Sequence, residues 1–519
     1  MPTAPRLAQR FLRYFYGPNL QALRAPFGPL ACIAALVLAA CGGGGAQTDP
    51  GPPSNDGVAR IEPYERTASM SLVQLRNASA EPLVPTVVPA RVVLPFLVDP
   101  AFEAGPRAPG QPVRIGQGRA VPIAADNQRL GALLQWQPSA SGGMVAAVTF
   151  RSEGAAGLRL GLAVDRMPAK AVLRVFGSAG APVRFQGSEV VGSLRRDAHS
   201  GVGTSPPSAL PSALPVPLFW TPTVAGDEAT LQLELPVGVS PDELALAVPR
   251  LSHLWWTHAA NLDPQRRAAA PGEYIGNCHI DATCEASYSY EARAVARMEY
   301  LRDGESFFWY FCTGTLMADA AASGTPYFIT ANHCVGSQTE ASTVTTYWFY
   351  RTQNCNDSSV GPDVVALPGG ADLLRVSADS DLTFLRLSGR PPTGAVHAGS
   401  LVGQPALGVT VGALHHPGGT PLKFSEGRVN SYGSCVGNSC KADDDSDGNY
   451  LVLRWTRGVT AQGSSGSPIF AKVGSRRYVV GHLFAGSSSC SDPSANDYFG
   501  RMDRAYQFLR DLLGPVAGT

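Results

Sequence analysis

Cysteine placement divides this chain before any other feature does. Of ten cysteines, Cys32 and Cys41 lie near the N-terminus, and the other eight fall between Cys278 and Cys490. An even set of eight suits an oxidising compartment, where disulfides hold loop-rich domains together. A domain boundary is therefore expected near residue 270, and 519 residues leave room for two domains plus extras. With 56 Gly, 43 Pro and only 16% charged residues, the composition predicts a β-rich protein with many turns, not a helical one. Basic and acidic residues balance at 41 each, so nothing points to nucleic acid as a partner.

Residues 1–24 carry Arg6, Arg10, Arg13 and Arg24 and no acid, and an apolar run from Gly28 follows, ending at Cys41. The run is short for a bilayer span and has the shape of a signal peptide. Leu38-Ala-Ala-Cys41 resembles the bacterial lipoprotein signal, in which the cysteine is lipidated. An ordinary secretory signal with an incidental cysteine is the alternative. Residues 1–41 are thus expected to be a lipoprotein-type signal. Gly42 after the cysteine, by analogy with such lipoproteins, favours the outer membrane or cell surface, with release after processing left open. Residues 42–67 are expected to be a flexible linker, being rich in Pro, Gly, Asp and Ser over 46–66.

From 68 to 257 short apolar runs alternate with turns, as in Leu158-Arg-Leu-Gly-Leu-Ala-Val and Ala229-Thr-Leu-Gln-Leu-Glu-Leu. Apolar and polar residues alternating at period two mark half-buried strands, so a β-sandwich-like domain is expected. It holds no cysteine and no cluster of His with carboxylates. Residues 258–275 look like a processing linker containing Arg266 and Arg267, and 276–519 form the last domain.

The chemistry is concentrated in that domain. Tyr327-Phe-Ile-Thr-Ala-Asn delivers His333 and Cys334 at the end of an apolar run. Asp381 directly precedes the alternating Leu382-Thr-Phe-Leu-Arg-Leu387; Asp379 is the nearby competitor. Gly463-Ser-Ser-Gly-Ser-Pro468 is a tight Gly/Ser loop able to present Ser465 as nucleophile, with the Gly463 and Ser465 amides as oxyanion donors. Each motif alone is weak, and such a loop by itself is more often a plain turn. Three in the order His, Asp, Ser match the chymotrypsin arrangement, in which His333 is the base and Asp381 orients it.

Cys278-His-Ile-Asp-Ala-Thr-Cys284, Thr330-Ala-Asn-His-Cys334, Leu414-His-His-Pro417, Ser488-Ser-Cys490 and Asp497-Tyr-Phe-Gly-Arg501 join the serine loop in a wider pattern. It resembles the bacterial lysyl endopeptidase family, a branch of the chymotrypsin-like proteases, over Cys278 to about Leu513. The resemblance implies an all-β, double β-barrel protease domain behind an N-terminal propeptide, here the sandwich-like 68–257. It implies disulfides Cys278–Cys490, Cys284–Cys355 and Cys312–Cys334, which leaves Cys435 and Cys440 as a local extra pair. It places Asp497 in the substrate pocket, favouring a cationic side chain, and implies polypeptide substrates, no cofactor and a monomer. The family's supporting His–Trp pair is missing: Phe484 stands at the histidine position, and the Cys435–Cys440 loop replaces the tryptophan's region. Strict Lys preference is therefore not implied, and Arg is admitted. A catalytically silent surface adhesin on a protease fold is the competing expectation, marked by loss of a triad residue; none is lost. Asp443-Asp-Asp-Ser-Asp-Gly-Asn449 resembles the opening of a calcium loop, but Arg454 replaces its closing Glu, so no metal is expected.

Overall fold

A computed structural model describes residues 58–66, 87–97, 112–178, 182–199, 218–255 and 276–516, except 303–307, 358, 438 and 444. Cys41, Arg266 and Arg267 lie outside the described residues. No helix among the described residues is long and apolar enough to cross a membrane.

The first described segment holds two short strands, β1 (Arg60–Ile61) and β2 (Tyr64–Glu65). The N-terminal domain contains β3 (Ala90–Leu94), β4 (Val113–Ala120), β5 (Gln137–Pro138), β6 (Met144–Ser152), β7 (Gly157–Arg166), β8 (Val172–Phe176), β9 (Val183–Gln186), β10 (Phe219–Trp220), β11 (Val224–Ala225), β12 (Glu228–Leu235) and β13 (Ala245–Leu254). One sheet runs β3-β6-β12-β8-β9 with β5 added to β6. The other runs β10-β7-β13-β4, with β11 also on β7. The sheets face each other across one core, as the period-two pattern predicts. Ala229, Leu231 and Leu233 of β12 are buried against Leu158, Leu160 and Leu162 of β7.

The last domain contains β14 (Ile280–Asp281), β15 (Val295–Leu301), β16 (Phe308–Met317), β17 (Tyr327–Ala331), β18 (Thr345–Trp348), β19 (Val365–Leu367), β20 (Ala371–Ser377), β21 (Leu382–Leu387), β22 (Val396–His397), β23 (Ser400–Leu401), β24 (Thr410–His415), β25 (Lys423–Val436), β26 (Ser439–Asp443), β27 (Tyr450–Arg457), β28 (Pro468–Val473), β29 (Arg476–Gly486) and β30 (Asp497–Arg501). Strands β29-β28-β24-β25-β27-β30 close on themselves because β30 pairs back onto β29. The path β19-β18-β15-β16-β17-β21-β20 stays open. A helix over Met502–Leu513 packs Met502, Ala505, Tyr506, Leu509 and Leu513 between the two barrels and stops at Gly514, where φ is 83°.

The linker expected over 42–67 is corrected at its end. Arg60–Ile61 and Tyr64–Glu65 are strands: β1 pairs with β23 and β2 with β22. Ile61 is buried in the core between the barrels, Glu62 accepts from Arg476 and Tyr478, and Tyr64 stacks on His397 at 4.6 Å. The Pro and Gly upstream mask a short apolar-and-charged stretch able to add to a sheet edge.

The two domains share a sheet, because β4 pairs with β13 on one side and with β16 on the other. Arg159, on the face of β7 opposite the sandwich core, is fully buried against the last domain. Its guanidinium lies 4.0 Å over Trp309 and donates to Thr345 Oγ1 at 2.7 Å.

Candidate active site

β17 carries Phe328 and Ile329 into the core and releases the chain at Asn332 and His333. Asn332 N–H donates to the Asp381 carbonyl at 2.8 Å. His333 N–H donates to Asp381 Oδ1 at 2.8 Å, and the ring Nδ1 bonds Oδ2 at 2.7 Å. Oriented this way, Nδ1 carries the proton and Nε2 is the basic nitrogen. Asp381 therefore takes the place at which Asp379 competed. Its φ of 51° lies in the left-handed region, which non-glycine residues seldom adopt. Two donors to its carbonyl hold it there, Asn332 N–H and His482 Nε2 at 3.1 Å. Burial lowers the pKa of His482, which keeps it a neutral donor.

The serine loop is pinned to β16 by one residue. Thr313 N–H donates to the Ser465 carbonyl at 2.9 Å, and Thr313 Oγ1 donates to the Gly463 carbonyl at 2.9 Å. Thr313 Oγ1 in turn accepts from His416 N–H at 3.1 Å. At Gly463 φ is 91°, and a Cβ there would come within 2.2 Å of Phe311. Only glycine fits that turn. With the carbonyls turned into Thr313, the Gly463 and Ser465 N–H groups donate no hydrogen bond within the described residues. Two uncommitted amides on consecutive turns are what an oxyanion needs.

The structure brings His333 to Asp381 and fixes the Ser465 backbone. His333 Nε2 is buried without a hydrogen-bond partner, so it makes no bond to Ser465 Oγ here. The Phe484 ring stands edge-on to His333 at 5.9 Å and is backed by Tyr450 at 5.4 Å. Cys435 and Cys440 pack on that aromatic pair.

Ser464, directly before Ser465, is buried. Its hydroxyl lies 2.8 Å from His415 Nδ1, and His415 Nε2 lies 3.0 Å from Ser425 Oγ. Ser425 Oγ donates to the Val459 carbonyl, so it accepts from Nε2–H. Nδ1 is then the acceptor for Ser464 Oγ–H, while Ser464 Oγ accepts from Ala461 N–H at 3.2 Å. Burial pushes the His415 pKa well below its usual value, and the whole chain of bonds is uncharged.

Asp497, at the start of β30, is fully buried. Its Oδ2 accepts from Trp455 Nε1 at 2.6 Å, Thr460 Oγ1 at 2.6 Å and Ser488 Oγ at 2.8 Å, and its Oδ1 accepts from Ser488 N–H at 3.1 Å. Burial raises its pKa, while these donors pull the other way.

The disulfides present are Cys278–Cys490, Cys284–Cys355, Cys312–Cys334 and Cys435–Cys440. In the acidic turn, the carbonyls of Ser446 and Gly448 accept from Arg501, and Asp447 pairs with Arg504. Cationic side chains thus take oxygen atoms that a calcium ion would need. Sequence reasoning missed Thr313, His482 and the Ser464–His415 link. Thr313 stood next to Cys312, but a threonine's partner across the fold leaves no mark in the sequence.

A chain built this way is a serine endopeptidase of chymotrypsin type. Known proteins place it more closely. A model of the lysyl endopeptidase N-terminal domain matches residues 98–255, and one of the C-terminal domain matches 273–500. The chain belongs to the lysyl endopeptidase family. The lysyl endopeptidase of Pseudomonas aeruginosa is 29% identical over 426 residues, 78% of this chain and 82% of that protein. Among solved structures, the active form of the Rv3671c protease from M. tuberculosis is 15% identical, with a TM-score of 0.30 over 45% of this chain and 86% of its own. The MamO protease domain from Magnetospirillum magneticum, in its apo form, is 14% identical, with a TM-score of 0.28 over 44% of this chain and 100% of its own.

Proposed function

We propose that this chain is an exported endopeptidase that cuts after Lys or Arg through His333, Asp381 and Ser465. The observation that carries it is the His333–Asp381 pair, together with a serine loop that has two free amides. Ser465 Oγ attacks the peptide carbonyl and gives its proton to His333 Nε2. The oxyanion sits on the Gly463 and Ser465 amides, and His333 then passes the proton to the leaving amine. Water enters by the same route reversed, and releases the acyl group from Ser465. Asp381 stabilises the imidazolium.

The buried Asp497 carboxylate supports a basic side chain at the bond cut, by a charge-assisted contact away from water. Residues 68–257 serve as the propeptide, and the chain matures by cutting after Arg266 or Arg267. No Lys lies between Lys170 and Cys278, so self-processing requires that Arg be accepted. Cys41 anchors the exported protein by lipid to the outer membrane or cell surface, and the enzyme works as a monomer.

Ser465→Ala is expected to abolish hydrolysis of Lys and Arg peptides, and labelling by a fluorophosphonate, with unchanged circular dichroism. Residual activity within about tenfold of the parent sinks the assignment, and a parent chain inactive with every peptide favours the silent adhesin.

A further inference from the structure

One edge of β16 pairs with β15 from Trp309 to Thr315. Along its other edge three neighbours follow in order. β17 covers Thr315–Met317, the Ser465 carbonyl takes Thr313 N–H, and β4 covers Phe308–Phe311. The nucleophile thus sits between two strands on one edge. β4 is antiparallel to β16, so its N-terminal residue Val113, paired with Phe311, is the end nearest the serine. At about 3.3 Å per residue, Val113 stands roughly 7 Å along the edge from the point where Thr313 meets Ser465.

A peptide aimed with its basic side chain at Asp497 lays its acyl side on the closed barrel, since β27, β29 and β30 around Asp497 belong to it. Its leaving side then crosses toward the open barrel, where β16 offers the adjoining edge. The leaving fragment starts with its new amino end at the serine and runs away from it. β4 has the same polarity and lies on the same edge. Extended peptides commonly bind by adding a strand to such an edge.

We propose that β4 occupies the strand position of the substrate's leaving side, so that while the N-terminal domain is docked the enzyme cuts only bonds with short leaving groups, and the cut after Arg266 or Arg267 is made by another copy whose N-terminal domain is undocked. This rests on the triad and pocket assignments above. Docking is firm: Ile115, Trp220 and Leu254 pack with Leu301, Trp309 and Phe311, and Thr223 Oγ1 donates to buried Glu299 at 2.8 Å.

The test uses the full chain carrying Arg266→Ala and Arg267→Ala, checked as uncut by gel. Substrates share one acyl sequence ending in Arg and differ in leaving group: p-nitroaniline, then one, two or four residues. Turnover of the anilide and the one-residue amide is expected, with kcat/KM falling about a hundredfold by four residues. Arg114→Ala removes a guanidinium 4.0 Å over Phe308, and Ile115→Asp breaks the apolar contact. At least one of them is expected to restore cutting of the four-residue substrate about tenfold while the anilide rate holds. Equal kcat/KM across the series, or a drop that both variants leave in place, overturns the proposal while anilide turnover keeps the protease assignment standing. Loss of anilide turnover together with fluorophosphonate labelling of Ser465 overturns both.

Discussion

Ser464 shows how one residue sets a dependence. In digestive chymotrypsin-like enzymes a new α-amino group pairs with an aspartate at this position. Here a neutral Ser464–His415–Ser425 chain fills the space and steadies the serine loop. Adding a residue to the mature N-terminus is therefore expected to leave kcat/KM within about threefold, and complete loss of activity contradicts it. Ser464→Ala strands a buried imidazole acceptor and is expected to lower stability by about 1–3 kcal/mol in urea titration. Asp497 carries the complementary prediction. Asp497→Asn should cut the preference for Lys and Arg over neutral residues about a hundredfold, in competing-peptide assays; an unchanged ratio removes it from the pocket. The candidate residues His333, Asp381 and Ser465 were legible because their motifs are local. The Ser464–His415 bond was not, since it joins residues 49 positions apart.

Among elements, β16 does the most work, holding the serine loop through Thr313 and receiving β4 on the same edge. Thr313→Val keeps the shape but removes the donor to the Gly463 carbonyl and the acceptor for His416 N–H. It is expected to lower kcat about 10- to 100-fold with KM little changed; a kcat within twofold of the parent argues against the role. Strand patterning was readable where one face meets a core, as in β12. On β7 it was only half readable. Leu158, Leu160 and Leu162 announce the sandwich core, but Arg159 between them reads as solvent-facing and is instead buried against Trp309. A polar residue covered by another domain has the same sequence signature as one covered by water. The strands at 60–65 escaped for a related reason: two-residue strands have no period to detect.

Across the whole molecule, buried histidines tie the fold to pH. Burial depresses His416 to about 3 and His253 to about 4, and lowers His415 well below its ordinary value. Each is neutral in the folded protein, whereas the unfolded chain takes up protons below about 6.5. Their contribution to stability is complete above that pH and drains away as pH falls toward the folded values, by about 2 kcal/mol each for His416 and His253 at pH 5. The raised pKa of Asp497 has the opposite sign and offsets part of the loss. Urea midpoints of the Ser465→Ala chain, which cannot digest itself, are expected to drop from about pH 7.5 to about pH 5. A flat or rising midpoint contradicts this.

The strands at 60–65 and the β4 edge belong to one stretch of polypeptide upstream of the linker at 258–275, yet they grip the last domain at separate places. If residues 258–275 are cut as proposed above, the upstream piece is a bivalent ligand. When one grip opens, the other keeps it at high effective concentration, and rebinding outruns escape. Departure then requires both grips to open together, so its rate scales with the product of two small opening probabilities. Dilution alone would free such a piece slowly, and a single nick between residues 67 and 86 would turn it into two separate monovalent ligands.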